Sequence, residues 1–229
     1  MKGMIYLSLI MNKVYIIAAV FVFAASSVLN VILVKLADSN LIIEALLPGV
    51  IAVVPIVGVV VLFEGLDRNA EKHIKCRFFN VMLSGMTPVR YATVNLVEHL
   101  IYLAAGFVFI FITLGITALT GFVIDEFLIK SLVAVTVLFS LVDRIVMTLT
   151  LKIGSAEKAG LIVGLIVGFG LVLPIMLLND TLSEAGIVMD FQEIITNNFV
   201  FFCFLGVAAV IYALDYYIEY RIVKRGDIC

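Results

Sequence analysis

Long apolar runs alternate with short polar interruptions along the whole chain, and run length decides what each can be. Residues 14–36, 41–63, 96–123, 129–151, 159–178 and 199–218 each reach the roughly 20 residues that an α-helix needs to cross a hydrocarbon core. The pattern predicts an all-α polytopic membrane protein with six transmembrane helices, forming a single domain over 1–229. A short amphipathic lead-in, MKGMIYLSLIMNK, is expected to lie at the interface as an N-terminal helix. A cleaved signal peptide is the competing reading, because Phe23-Ala24-Ala25-Ser26 resembles a cleavage site. The apolar run that starts at Val14 is too long for an ordinary signal core. Asp38-Ser39-Asn40 and Asp125-Glu126 read as tight turns, and Pro48 and Pro55 as kinks within the second span.

One internal segment breaks the pattern. Residues 64–95, EGLDRNAEKHIKCRFFNVMLSGMTPVRYATVN, form the only long internal stretch that a bilayer rejects on both flanks. Ile74, Phe78, Val81 and Met82 recur at helical spacing, with Lys72, Lys75 and Arg77 on or beside the opposite face. Ser84-Gly85-Met86-Thr87-Pro88 is expected to end that helix. Two readings stand side by side: a handle for a cytoplasmic partner, and an interfacial helix resting on anionic lipid.

Composition agrees with the pattern. Apolar residues make up 64% of the chain and mean hydropathy is +1.23, against about 45–50% apolar residues in soluble domains. No room remains for a soluble domain. The formal charge of −2 is uninformative; its distribution is not. With the N-terminus inside, twelve of the fifteen Lys and Arg residues fall on the inner side, two (Lys35 and Lys130) on the outer, and Arg144 within a span. That asymmetry predicts both termini to be cytoplasmic. Cys76, Cys203 and Cys229 have neither disulfide nor metal-ligand spacing. Trp is absent, and Tyr6, Tyr15, Tyr102, Tyr212, Tyr216 and Tyr217 are placed to anchor the interfaces.

Few residues invite chemistry. Gly160, Gly164 and Gly168 fall on one face of the fifth span, a small-residue pattern that permits close helix approach within one subunit or between two. Asp143 and Arg144 lie inside the fourth span, where Thr136, Ser140, Asp143, Met147 and Thr150 trace a polar stripe. The stripe reads either as a pathway lining or as a structural ion pair, with Arg144 alternatively snorkelling to headgroups. Glu98-His99 stands at the inner entrance of the third span, but one acid and one His do not make a zinc site. No nucleophile–base pair and no phosphate-binding loop is evident, so the chain is not expected to be an enzyme, to hold a metal or to bind nucleic acid.

The order of parts carries a resemblance. A lead-in helix, two spans, an inner polar segment, four spans and a basic tail resemble the permease subunits of ABC type-2 exporters, including small six-span permeases that export peptides or toxins. In the first inner loop, Met86-Thr87-Pro88-Val89-Arg90-Tyr91-Ala92-Thr93-Val94 is similar to the family's Leu-Pro-x-x-Arg-x-x-x-Val signature, with the Pro displaced by one position. In the second, Leu151-Lys152-Ile153-Gly154-Ser155-Ala156-Glu157-Lys158-Ala159 resembles the family's Lys-Phe-Gly-x-x-Lys loop. Tyr220-Arg221-Ile222-Val223-Lys224-Arg225-Gly226-Asp227 resembles its basic tail, whereas Glu98-His99 departs from the Lys-Tyr that often opens the third span. The resemblance implies two copies of a separate ABC ATPase subunit that carry ATP and Mg, and a second permease subunit, identical or different. It implies contact with the ATPase through Glu71, Lys72, Lys75, Arg77, Phe78, Phe79 and Met82, with Gly154, Ser155 and Glu157 as a second contact. It also implies export of amphipathic or lipophilic cargo, such as antimicrobial or cytolytic peptides, across a prokaryotic cytoplasmic membrane. The competing function is a non-transporting anchor or sensor that holds a cytoplasmic partner through residues 64–95.

Overall fold

The computed structural model describes residues 12–37, 47, 49–51, 53, 55–63, 87–169 and 191–225. The helices are α1 (Lys13–Ala37), α2 (Gly49–Phe63), α3 (Pro88–Ala118), α4 (Glu126–Ile153), α5 (Ala156–Val167), α6 (Phe191–Thr196) and α7 (Asn198–Arg225), and no strand occurs among the described residues. Four of them, α1, α3, α4 and α7, are long and apolar enough to cross a membrane. The chain is thus a helical membrane protein. Of the six expected spans, four have a full-length helix; α2 and α5 are shorter over the residues described. The expected interfacial helix falls on residues 1–11, outside the described residues, as do the seven residues from Glu71 to Met82 assigned to ATPase contact.

Contacts fix the course of each helix. Phe23 stacks on Phe109 with ring centroids 4.8 Å apart, Ser27 Oγ donates to Thr113 Oγ1 at 3.4 Å, and Asn30 Nδ2 donates to Thr117 Oγ1 at 3.3 Å. These pairs rise together along both sequences, so α1 and α3 run parallel. Asn12 Nδ2 donates to the Tyr102 hydroxyl at 3.1 Å nearer the start of the pair. His99 meets Ser140, and Gly106 lies beside Thr136, so α4 runs antiparallel to α3. Lys130 reaches Asn198, Ser140 reaches Tyr212, and Arg144 reaches Asp215 and Glu219, so α7 runs parallel to α4. The start of α3 and the ends of α4 and α7 therefore share one end of the bundle. That end carries Arg90, Lys152, Lys158, Arg221, Lys224 and Arg225; it is called the basic end below.

The surface, unlike that of a water-soluble bundle, is apolar, and polar side chains are buried beside an apolar core. Phe21, Phe199, Phe202 and Val210 are exposed, while Ser26, Asn30, Thr117, Thr136, Ser140 and Arg144 are buried. In a hydrocarbon solvent an exposed apolar side chain costs nothing and a polar one must find a partner inside. Half of α4's most apolar stretch is buried, against 11% for α7. Helix α4 is the centre of the bundle.

Several element boundaries differ from expectation. Pro88 begins a helix, and the helix that residues 84–88 are expected to end lies outside the described residues. Thr87 Oγ1 accepts from the Arg90 backbone N–H at 3.4 Å, and Pro88 sits in the first turn, where its missing N–H costs no bond. Residues 88–95, expected in the cytoplasmic loop, are the first two turns of α3, with Tyr91, Ala92, Val94 and Asn95 buried. The inner loop expected over 152–158 shrinks to Gly154-Ser155. Gly154 ends α4 at φ 76, and Ser155 Oγ caps α5 by accepting from Lys158 N–H at 3.4 Å. Helix α7 continues through Arg225 instead of stopping at 218, so the first part of the expected tail is helical.

Candidate functional site

The residues that a membrane least tolerates converge on one place. From α4 come Ser140, Asp143, Arg144 and Thr148; from α3, Asn95 and His99; from α7, Tyr212, Asp215 and Glu219. Helical periodicity makes this possible: Ser140, Arg144 and Thr148 lie four apart on α4, as do Asp215 and Glu219 on α7, so each set forms one stripe. At 1.5 Å per residue, Arg144 lies about 14 Å above the end of α4 and Glu219 about 9 Å above the end of α7. The cluster is therefore well inside the bundle and nearer its basic end.

Arg144 is its hub. At 1% exposure it forms an ion pair through Nε with Asp215 Oδ2 at 2.7 Å and another through Nη2 with Glu219 Oε2. Asn95 Nδ2 donates to the second oxygen of Glu219 and ties α3 to the same group. One guanidinium thus gathers α4 and α7, with α3 attached through an amide. A second unit adjoins. His99 Nε2 lies 2.8 Å from the Ser140 carbonyl oxygen. A carbonyl can only accept, so Nε2 carries a proton, and Nδ1 faces Asp143 Oδ2 at 3.4 Å. The Ser140 hydroxyl pairs with the Tyr212 hydroxyl, and the Tyr212 ring stands 6.2 Å from that of His99. The Phe63 ring of α2 also lies against His99, with ring centroids 5.3 Å apart.

The expected site residues divide accordingly. Ser140, Asp143 and Arg144 all belong to the cluster, but Asp143 and Arg144 do not pair with each other. Consecutive residues on a helix point about 100° apart, so Asp143 turns to α3 and Arg144 to α7. Nor does Arg144 snorkel, because buried carboxylates hold it. Glu98 and His99 are not at a helix entrance; α3 starts eight residues earlier than expected, which carries both into the interior. Gly154, Ser155 and Glu157 form the α4–α5 turn and the first turn of α5 at the basic end. For Gly160, Gly164 and Gly168, a built Cβ meets no described atom within 4 Å, so this face of α5 packs against nothing among the described residues.

Sequence reasoning singled out neither Asp215 nor Glu219. Their spacing on α7 and the lone Arg144 inside a span together were the available signal: a buried guanidinium needs anions, and only those on helices that touch α4 can reach it. Among the described residues no group of three His, Cys, Asp or Glu side chains is arranged to hold a metal ion. A recess of about 520 Å³ between α1 and α3 is lined by Val20, Ala24, Val28, Phe109, Ile112 and Ile116 and presents almost no polar group. No family model, curated protein or solved structure matches the chain.

Proposed function

We propose that this chain is the transmembrane subunit of an ATP-driven exporter of the ABC type-2 kind. It moves amphipathic or lipophilic cargo out through a prokaryotic cytoplasmic membrane, paired with a second permease subunit and driven by two copies of a separate ATPase. Both termini are cytoplasmic and the basic end faces the cytoplasm. The parallel course of α1 and α3 favours a return crossing by α2, and the parallel course of α4 and α7 favours another after α5, giving six spans.

One observation supports this reading above the rest. Helix α2 runs toward the basic end at Phe63 and α3 starts there at Thr87, so the polar segment between them is attached at that end. The Gly154-Ser155 turn and the terminus of α7 lie there too. Parts of the chain far apart in sequence, each similar to an inner-face motif of the family, thus share one face. Phe78, Phe79 and Met82 supply apolar anchors with Lys75 and Arg77 around them, a composition suited to a groove on a partner. ATP-driven movement of the partner would then tilt α2 and α3 about the buried cluster, a change between two packed states.

The test is co-purification. Tagged protein expressed with its neighbouring genes should bring down an ATPase subunit, and Phe78→Ala/Phe79→Ala should release it while leaving the permease folded. Absence of any ATPase from the intact protein would overturn the exporter reading and leave the membrane anchor in its place.

A further inference from the structure

The Arg144 triad is unbalanced. One guanidinium faces two carboxyl groups, and Arg144, Asp215 and Glu219 are each at most 5% exposed. Among the described residues, the other groups around them bring no positive charge to the triad. Asn95 of α3 gives Glu219 a neutral amide donor, and the Thr148 hydroxyl of α4 stands beside Asp215. Tyr212 is engaged with Ser140, and His99 faces Asp143, which answers any charge on its ring. The two carboxyls are not equally served either. Glu219 receives Nη2 and the Asn95 amide, whereas the Asp215 oxygen 2.7 Å from Nε lies off the axis of the N–H and has no aligned donor. With both carboxyls ionised the triad would bury a net negative charge, which carries a large desolvation penalty and is relieved by neutralisation.

We infer that the triad is a one-proton site, with the proton held on Asp215 and Glu219 ionised against Arg144. The step is a simple protonation. A proton from the aqueous phase forms an O–H bond to an Asp215 oxygen, and the resulting hydroxyl donates where the carboxylate could only accept. Arg144 and Glu219 then make a balanced pair, and α7 is held to α4 by one ion pair and one neutral hydrogen-bonding group. A conformational change that admits water to the basic end would let this proton leave, so the site couples packing of α4 on α7 to proton binding. The inference is independent of any ATPase.

Infrared spectroscopy of the purified full-length protein at neutral pH, in maltoside micelles that lack ester carbonyls, reads this directly. The wild type should show a protonated-carboxyl stretch that shifts in D2O. Charge balance makes an unusual demand: Asp215→Asn and Glu219→Gln should each remove one protonated carboxyl. The second variant does so although Glu219 does not hold the proton, because Asp215 then ionises against Arg144. Asp143→Asn, outside the triad, should leave that carboxyl in place. Difference spectra in which either triad variant loses only an ionised carboxylate would overturn the inference. So would a band that disappears when sodium is added, since a metal cation would then balance the triad. If a variant fails to fold, assigned side-chain carboxyl carbon shifts of Asp215 and Glu219 in the wild type decide the matter: a protonated Asp215 and an ionised Glu219 are expected, and two ionised carboxyls or a protonated Glu219 would overturn it.

Discussion

Arg144 shows how a membrane interior turns a residue's chemistry into architecture. Its five N–H donors and fixed positive charge leave it no neutral form to adopt, so its position forces acceptors onto neighbouring helices. Removing one partner of a buried ion pair typically costs about 3–5 kcal/mol, because the other is left uncompensated. Arg144→Met is therefore expected to lower the thermal stability of the detergent-solubilised protein by about that much. Replacing the whole triad, with Arg144→Met, Asp215→Leu and Glu219→Leu together, should restore most of the loss, since apolar residues of similar volume can replace buried ion pairs. A triple variant as unstable as the single one would mean that the cost lies in packing rather than charge. At this scale the sequence was half legible. The oddity of a charged pair in an apolar run was plain, but its partners lie more than seventy residues away, and no local rule names them.

Helix boundaries and packing faces belong to the next scale. Capping explains why the helices start where they do: Thr87, Asp125 and Ser155 each accept from a backbone N–H three residues on. Thr87→Ala should cost about 1 kcal/mol, read as a lower unfolding midpoint. Two glycines make opposite forecasts. A Cβ on Gly58 would come within 2.8 Å of the Phe23 ring, held in turn by its stack on Phe109. Gly58→Ala should thus push α2 from α1 and destabilise the protein by about 1–3 kcal/mol. Gly164 meets nothing within 4 Å among the described residues, so Gly164→Ala should leave the stability of the single chain within about 0.5 kcal/mol of the parent. If the second permease packs on this face, Gly164→Ile should reduce disulfide or chemical cross-linking between copies without changing the melting of the monomer. Run length located four of the six expected spans as full-length helices among the described residues. It placed their ends less well, because hydropathy records where apolar residues stop, whereas caps decide where the backbone stops being helical.

Taken whole, the molecule has charged ends and an apolar girth with a polar seam sealed inside. At 1.5 Å per residue, α3 and α4 are about 46 Å and 42 Å long, longer than the roughly 30 Å hydrocarbon core. Their extra turns can carry Arg90 and Lys152 at one end and Glu126 at the other into headgroups or water. Orientation follows as a labelling experiment. In a background free of native cysteines, a cysteine at Lys152 or Lys224 should react with a membrane-impermeant maleimide only after the cytoplasmic face is opened. One at Thr120 or Asp125 should react from outside; the reverse pattern would place the basic end outside. Sequence alone determined that the chain is helical and membrane-embedded, since the solvent it must face is written in run length and hydropathy, and it marked which end is basic. It also flagged Ser140, Asp143 and Arg144 as residues needing explanation. Only the tertiary structure decided that Arg144 looks to Asp215 and Glu219 while Asp143 looks to His99, and that these side chains close one cluster among α3, α4 and α7. Burial in hydrocarbon is a property of single residues and can be read locally. Charge compensation is a property of pairs, and which pairs meet depends on how the helices pack.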